Sequence, residues 1–174
     1  RWVLLEEARK ISTGEPNLIF CLDADEIISK DALDFTIDKA QKEISKSDHA
    51  GPLRFSYPWI QLFNTPDQYR VDTIWINNTK TIAFLDHPTL SYPDTEVIND
   101  HTERIPTTKG AIENNIDCPH PVLHLQFLAK NRYLLKQYWY MCQEILRGNR
   151  SAKEINKQYS PIIHGTGAKL KKIP

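Results

Sequence analysis

A chain of 174 residues amounts to about one domain, and 40% hydrophobic with 25% charged residues excludes intrinsic disorder, collagen and coiled-coil arrays as its main character. Its apolar runs are far shorter than the roughly 18 residues a membrane span needs, and no charged leader with an apolar core opens it. The zero net charge hides an asymmetry: residues 1–50 carry 7 basic and 11 acidic side chains, 51–125 carry 5 and 9, and 126–174 carry 10 and 2, or −4, −4 and +8. Such a basic end calls for an anionic counterpart, whether a phosphate-bearing ligand, an anionic lipid surface or the acidic body of the same chain. Three cysteines, Cys21, Cys118 and Cys142, form no C-x-x-C pair, which points to neither a zinc knuckle nor a disulfide framework and favours a reducing compartment.

The chain opens at Arg1 and runs directly into a helix whose apolar residues share one face, so it reads as cut from something longer. After a turn at Thr13-Gly14-Glu15-Pro16, Asn17-Leu18-Ile19-Phe20-Cys21-Leu22 predicts a strand buried on both faces of a parallel sheet. Ser29 then caps a helix in which Leu33, Ile37, Ala40 and Ile44 recur at spacings of three and four, ending near Lys46. Helix, buried strand, helix is the core of an α/β layer structure.

From Leu53 to about Leu90 the texture turns β-branched and aromatic. Leu53–Tyr57 and Asp72–Ile76 predict strands, and Asn77-Asn78 before Thr81–Leu85 predicts a hairpin. Residues 86–121, with Pro88, Pro93, Pro106, Pro119 and Pro121, predict a loop-rich region. A long helix is expected over Leu125–Arg147, stopped by Gly148, with an apolar stripe of Leu128, Leu135, Tyr138, Trp139, Cys142, Ile145 and Leu146. Residues 151–174 predict a basic, loosely structured tail. The division is therefore residues 1–150 as one folded portion and 151–174 as an appendage.

The segment richest in chemistry is Asn17–Ile28. An apolar strand followed by Asp23-Ala24-Asp25-Glu26 would direct Asp23 and Asp25, at i and i+2, to the same side of a strand's C-terminal edge, where α/β sheets hold ligands. Carboxylates this close repel unless a cation lies among them, and Mg²⁺ or Mn²⁺ is the natural occupant, with open positions left for ligand phosphates. The plain alternative is that these acids cap the next helix or face solvent. Arg132 and Lys136, at i and i+4, share a helix face that could meet a diphosphate or simply be solvated. Trp59 and Trp75 could stack on the apolar face of a sugar ring, or pack in the core. No P-loop, G-x-G-x-x-G, G-x-S-x-G or H-E-x-x-H motif occurs.

Leu18–Glu26, read as L-I-F-C-L-D-A-D-E, resembles the D-x-D segment of family-2 type glycosyltransferases of the GT-A fold. The preceding helix with Arg1 and Ala8 fits, as do Gly51-Pro52-Leu53-Arg54-Phe55 and Tyr57-Pro58-Trp59. Pro121–Phe127, then Arg132, Lys136 and Trp139-Tyr140, resembles the family's late H-x(n)-R-x(n)-K helix region, and the resemblance covers most of residues 1–150. The implied fold is a partial GT-A: a Rossmann-like mixed sheet flanked by helices, with a β-hairpin acceptor region and a long C-terminal helix. The family's nucleotide-binding first half is absent from these residues.

What the resemblance implies is metal-dependent transfer of a sugar from a nucleotide-diphosphate donor to an acceptor hydroxyl, usually with inversion, in polysaccharide or glycolipid biosynthesis. Asp25 would be the principal ligand of Mn²⁺ or Mg²⁺, Asp23 would touch the donor ribose or assist the metal, and the late histidine, His124, would complete the coordination. His120 and His164 are weaker versions of that role, and a lone His between Leu123 and Leu125 is also what a hydrogen-bonded core residue looks like. The general base would be a carboxylate of the acidic loop that holds Asp94, Glu96, Asp100 and Glu103, with Glu103 first and Asp100 second. Expected partners are the nucleotide-sugar donor and a carbohydrate or lipid-linked acceptor, with no nucleic acid. A cytoplasmic location at the inner face of a membrane would suit the basic C-terminal segment. Two other readings stand beside this one: a truncated or degenerate transferase part that binds a glycan or partner chain, and a phosphohydrolase with Asp23 as nucleophile and Asp25 as acid/base.

Overall fold

A computed structural model of the chain describes residues 2–11, 16–46, 51–72, 76–92, 104–108 and 114–173. In chain order they form α1 (Trp2–Ile11), β1 (Leu18–Phe20), β2 (Glu26–Ile28), α2 (Lys30–Ile44), β3 (Leu53–Phe63), β4 (Thr65–Arg70) and β5 (Thr79–Leu85). There follow β6 (Leu90–Ser91), β7 (Thr107–Thr108), β8 (Asn114–Asp117), β9 (Val122–Phe127), α3 (Lys130–Arg147), α4 (Ala152–His164) and β10 (Leu170–Lys172). The class is mixed α/β. The chain divides into two compact units: one comprises Arg1–Ala24, Ile28–Pro58 and Thr79–Val122, the other Asp25–Ile27, Trp59–Asn78 and Leu123–Pro174.

In the first unit β5 pairs antiparallel with both β1 and β3, and β8 runs parallel to β3. The run Asn17–Leu22 therefore differs from its predicted role. Its strand is three residues long, half-buried and antiparallel to β5, with β5 its one partner among the described residues. An apolar run reports burial but carries no information on strand direction. Leu5 of α1 packs with Phe84, Leu90 and Ile105, and Ile19, Cys21 and Tyr92 close this core. Arg9 holds α1 down by two bonds to the Asp86 carboxylate, at 2.9 and 2.8 Å, and further bonds to the carbonyls of His87 and Leu90. Ser29 caps α2 as its sequence predicts, accepting from the Ala32 N–H at 3.1 Å. The buried face is Ala32, Thr36 and Ala40, with Leu33 and Ile37 on its flank, because the Thr36 hydroxyl meets the buried Tyr57 hydroxyl at 2.7 Å.

In the second unit β3 turns at Asn64, whose φ of 63° is the left-handed conformation Asn tolerates, into antiparallel β4, and β10 pairs with β4 in turn. The predicted Asn77 turn also has positive φ, 52°, but β5 beyond it pairs with β3 and β1, and residues 73–75 lie outside the described residues. β9 pairs with β2 and β3.

The largest departure is at residues 122–147. Val122–Phe127 is a strand and the helix begins only at Lys130; the alternating burial of Val122 and His124 suits a pleat. The helix ends at Gly148 as expected, with φ 67°. Its buried side is Tyr133 and Gln137, helped by Leu134 and Met141, and most of the apolar stripe faces outward. Residues 151–164, predicted loose, form α4 with a complete capping box: the Ser151 hydroxyl accepts from the Glu154 N–H, and the Glu154 carboxylate accepts from the Ser151 N–H. Ile155, Tyr159 and Ile163 recur at i, i+4 and i+8 and pack on Leu134, Tyr140 and Met141. Three apolar residues in a basic segment are a sparse signal that becomes a helix face only when α3 supplies the other half of the core. Among the described residues no helix is long and apolar enough to cross a membrane.

Candidate functional site

Strand pairing builds the site in the second unit. The Leu125 N–H of β9 donates to the Asp25 carbonyl at 2.8 Å, which sets the start of β2 alongside His124. The His124 Nε2 then lies 3.4 Å from a carboxylate oxygen of Asp25. His124 is 4% exposed, whereas the Asp25 side chain is 39% exposed, so a buried imidazole meets a carboxylate open to solvent.

The imidazole is held on three sides. Gln61, fully buried on β3, places its amide nitrogen 3.1 Å from the Leu62 carbonyl and 3.2 Å from the His124 carbonyl. Two carbonyls can be satisfied only by the NH₂ group, so the amide oxygen must face His124, whose Nδ1 lies 2.6 Å away. Nδ1–H is the donor, and in the neutral ring Nε2 carries its lone pair toward Asp25. The Trp59 indole stacks on the imidazole with centroids 4.3 Å apart and planes 27° from parallel. Its Nε1–H donates to the Glu26 carboxylate at 2.8 Å, and its backbone N–H donates to the Asn78 carbonyl at 2.7 Å. Glu26 is buried, so this hydrogen bond satisfies one of its oxygens where water does not reach.

A lone pair and a carboxylate at this separation want a positive charge between them, a proton or a metal ion. Two ligands about 2.1 Å from one ion, in octahedral or tetrahedral positions, are separated by about 3.0–3.4 Å. The Asp25–His124 spacing and their nitrogen-plus-oxygen donor set fit a divalent cation of the Mn²⁺ kind. Among the described residues no three of His, Cys, Asp and Glu are placed to hold a metal ion, so the chain's part would be two ligands, with water or phosphate oxygens completing the shell.

In the first unit Asp23 does something different. Its carboxylate pairs with Arg104 at 2.5 Å, and it borders a cleft of about 280 Å³ walled by Leu5, Ala8, Ile19, Cys21 and Tyr92. The Tyr92 hydroxyl donates to the Arg104 carbonyl at 2.7 Å, tying the pair to the cleft wall. The premise that strand alternation aims Asp23 and Asp25 together is corrected: β1 stops at Phe20, and Ala24-Asp25 is a turn, so the two-residue period of a strand does not govern these carboxylates.

The remaining predicted residues lie on several elements. Arg132 is exposed on α3, and one turn later Lys136 is half-buried with its Nζ 5.9 Å from the Tyr140 ring centroid. His120 is half-buried beside Phe35, and His164 is exposed in the last turn of α4. Trp59 is buried and offers one face to His124. Trp75, Asp94, Glu96, Asp100 and Glu103 lie outside the described residues. Sequence reasoning missed Gln61 and Arg104. A glutamine inside the apolar run Trp59-Ile60-Gln61-Leu62-Phe63 was the available signal, since a buried amide needs partners; Arg104 gave none. The chain matches no family model, no curated protein and no solved structure.

Proposed function

We propose that the chain is the metal- and acceptor-side part of a metal-dependent glycosyltransferase, moving a sugar from a nucleotide-sugar donor to an acceptor hydroxyl with inversion, in polysaccharide or glycolipid biosynthesis at the cytoplasmic face of a membrane. What supports the reading is the Asp25–His124 pair, with its 3.4 Å spacing, its preset tautomer and its one solvent-open member. Asp25 and His124 would hold Mn²⁺ or Mg²⁺, which when bound supplies positive charge against that growing on a departing diphosphate. Gln61 keeps the His124 lone pair aimed outward, and Trp59, anchored by Glu26, keeps the imidazole plane fixed. The expected general bases, Glu103 and then Asp100, and the expected diphosphate contacts, Arg132 and Lys136, belong to the same proposal. So does Asp23, whose carboxylate would meet the donor ribose at the cleft it borders.

A second reading is a module that binds a glycan or a partner chain, favoured by one observation: two metal-ligating side chains, rather than three, meet among the described residues. One assay separates the two. Nucleoside diphosphate release is measured from a panel of nucleotide sugars with and without Mn²⁺, using the protein at its natural length and its Asp25→Ala variant. Metal-dependent release that falls at least about 100-fold in a folded variant supports the transferase. Release equal in both proteins, or absent with every donor, supports the binding module.

A further inference from the structure

Helix α3 turns its most apolar face to solvent. Leu135, Tyr138, Trp139, Cys142, Ile145 and Leu146 are all exposed, Leu135 at 72% and Leu146 at 86%, and their spacings of three and four place them on one stripe. The stripe runs about 16 Å along the helix. The opposite face is committed: Tyr133 packs on Phe63 and Phe127, and Leu134, Tyr140 and Met141 pack on α4. At 100° per residue, Arg132, Lys136 and Arg147 form a basic row along one border of the stripe. Neither stripe nor row contains an acid. The one acidic residue of α3, Glu144, is turned toward α4, where it accepts from the Tyr159 hydroxyl at 3.2 Å and from Arg150 at 3.3 Å.

Contiguous exposed apolar surface of this extent marks an interaction site. We infer that the outward face of α3 docks on the surface of an anionic lipid bilayer. The charge decides the partner: a basic border beside an apolar stripe, in a segment with 10 basic and 2 acidic residues over 126–174, complements acidic headgroups. The side chains agree. Trp139 and Tyr138 have the apolar body and polar tip that suit the headgroup level, Leu135, Ile145 and Leu146 are long enough to enter the acyl boundary, and Arg132, Lys136 and Arg147 add the positive charge that acidic headgroups attract. This rests on the helix itself and stands whether or not the transferase reading holds.

The test is co-sedimentation of the protein with phosphatidylcholine vesicles and with vesicles of phosphatidylcholine and phosphatidylserine at 7:3, at low and at high salt. Binding is expected on the anionic vesicles alone and is lost at high salt. Brominated lipid should quench fluorescence in a way that Trp139→Phe abolishes. Leu135→Glu with Leu146→Glu should weaken binding at least tenfold, and Arg132→Gln with Lys136→Gln and Arg147→Gln by about 100-fold, at roughly fivefold per charge. Leu135, Leu146, Arg132 and Arg147 are exposed on the helix and Lys136 is half-buried, and circular dichroism checks that each variant keeps its fold. Absence of binding to anionic vesicles, or binding unchanged in both multiple variants, overturns the inference. A vesicle-free dimer that dissociates on Leu146→Glu also overturns it and assigns the face to a second copy of the chain.

Discussion

The two nitrogens of His124 face two different groups: Nδ1 lies 2.6 Å from the Gln61 amide oxygen and Nε2 lies 3.4 Å from the Asp25 carboxylate. Because the Gln61 NH₂ group is fixed by two backbone carbonyls, the orientation of the imidazole is decided inside the fold and not by what binds outside it. Gln61→Leu should therefore leave the strand in place but lower Mn²⁺ affinity about 10–100-fold, as loss of a hydrogen-bonding partner to a ligating histidine generally does. Isothermal titration of the variant with Mn²⁺, beside a denaturation curve, separates loss of the site from loss of the fold.

The Trp59 indole N–H ties the stacked ring to the buried Glu26 carboxyl. Trp59→Phe keeps an aromatic plane against His124 but removes the donor to the buried Glu26, and it should cost about 1–3 kcal/mol, the usual cost of removing a donor from a buried acceptor. The urea midpoint should fall without change in the slope of the transition.

Asp72 carries a predicted pH dependence. Hydrogen bonds from the buried Arg70 guanidinium, at 3.0 and 2.5 Å, hold its carboxyl below the ordinary value of 3.8, burial works against this, and the Arg70 charge and the Lys169 N–H add to it. A carboxylate depressed in the folded state contributes stability that is present above its unfolded pKa and lost as pH falls through the folded one. Asp72→Asn should cost about 3–5 kcal/mol at neutral pH, since it removes the negative charge that faces a buried guanidinium, and the gap between wild type and variant should narrow below about pH 4. Urea denaturation of both proteins at pH 7 and pH 3 measures it.

The Ser151 capping box is the local device that starts α4. Ser151→Ala should destabilise the protein by about 1 kcal/mol, read as a lower thermal midpoint with far-UV circular dichroism unchanged at low temperature.

Much of the fold was legible where the signal is local. The Ser29 cap, the Gly148 stop and the strand character of Leu53–Tyr57 depend on neighbours a few residues away and lie where the sequence puts them. Direction and facing were not legible, because both are set by distant partners. Nothing in Leu18-Ile19-Phe20 says that its neighbour is antiparallel β5, and the apolar stripe of α3 has the periodicity of a core face although the core lies on its other side. At the site, His124 and Asp25 were named from the sequence, whereas the Gln61 amide between β3 and β9 is a product of register.

The central claim is that Asp25 and His124 together hold a divalent cation, and electron paramagnetic resonance of Mn²⁺ tests it most directly. Titration of the protein with Mn²⁺ in the presence of a nucleoside diphosphate should show bound metal with nitrogen coupling from one imidazole, absent in His124→Ala, and with affinity reduced at least tenfold in Asp25→Ala. Mn²⁺ that stays free in the wild-type protein, or that binds equally well in both variants, would contradict the claim and leave Asp25–His124 as an ion pair within the fold.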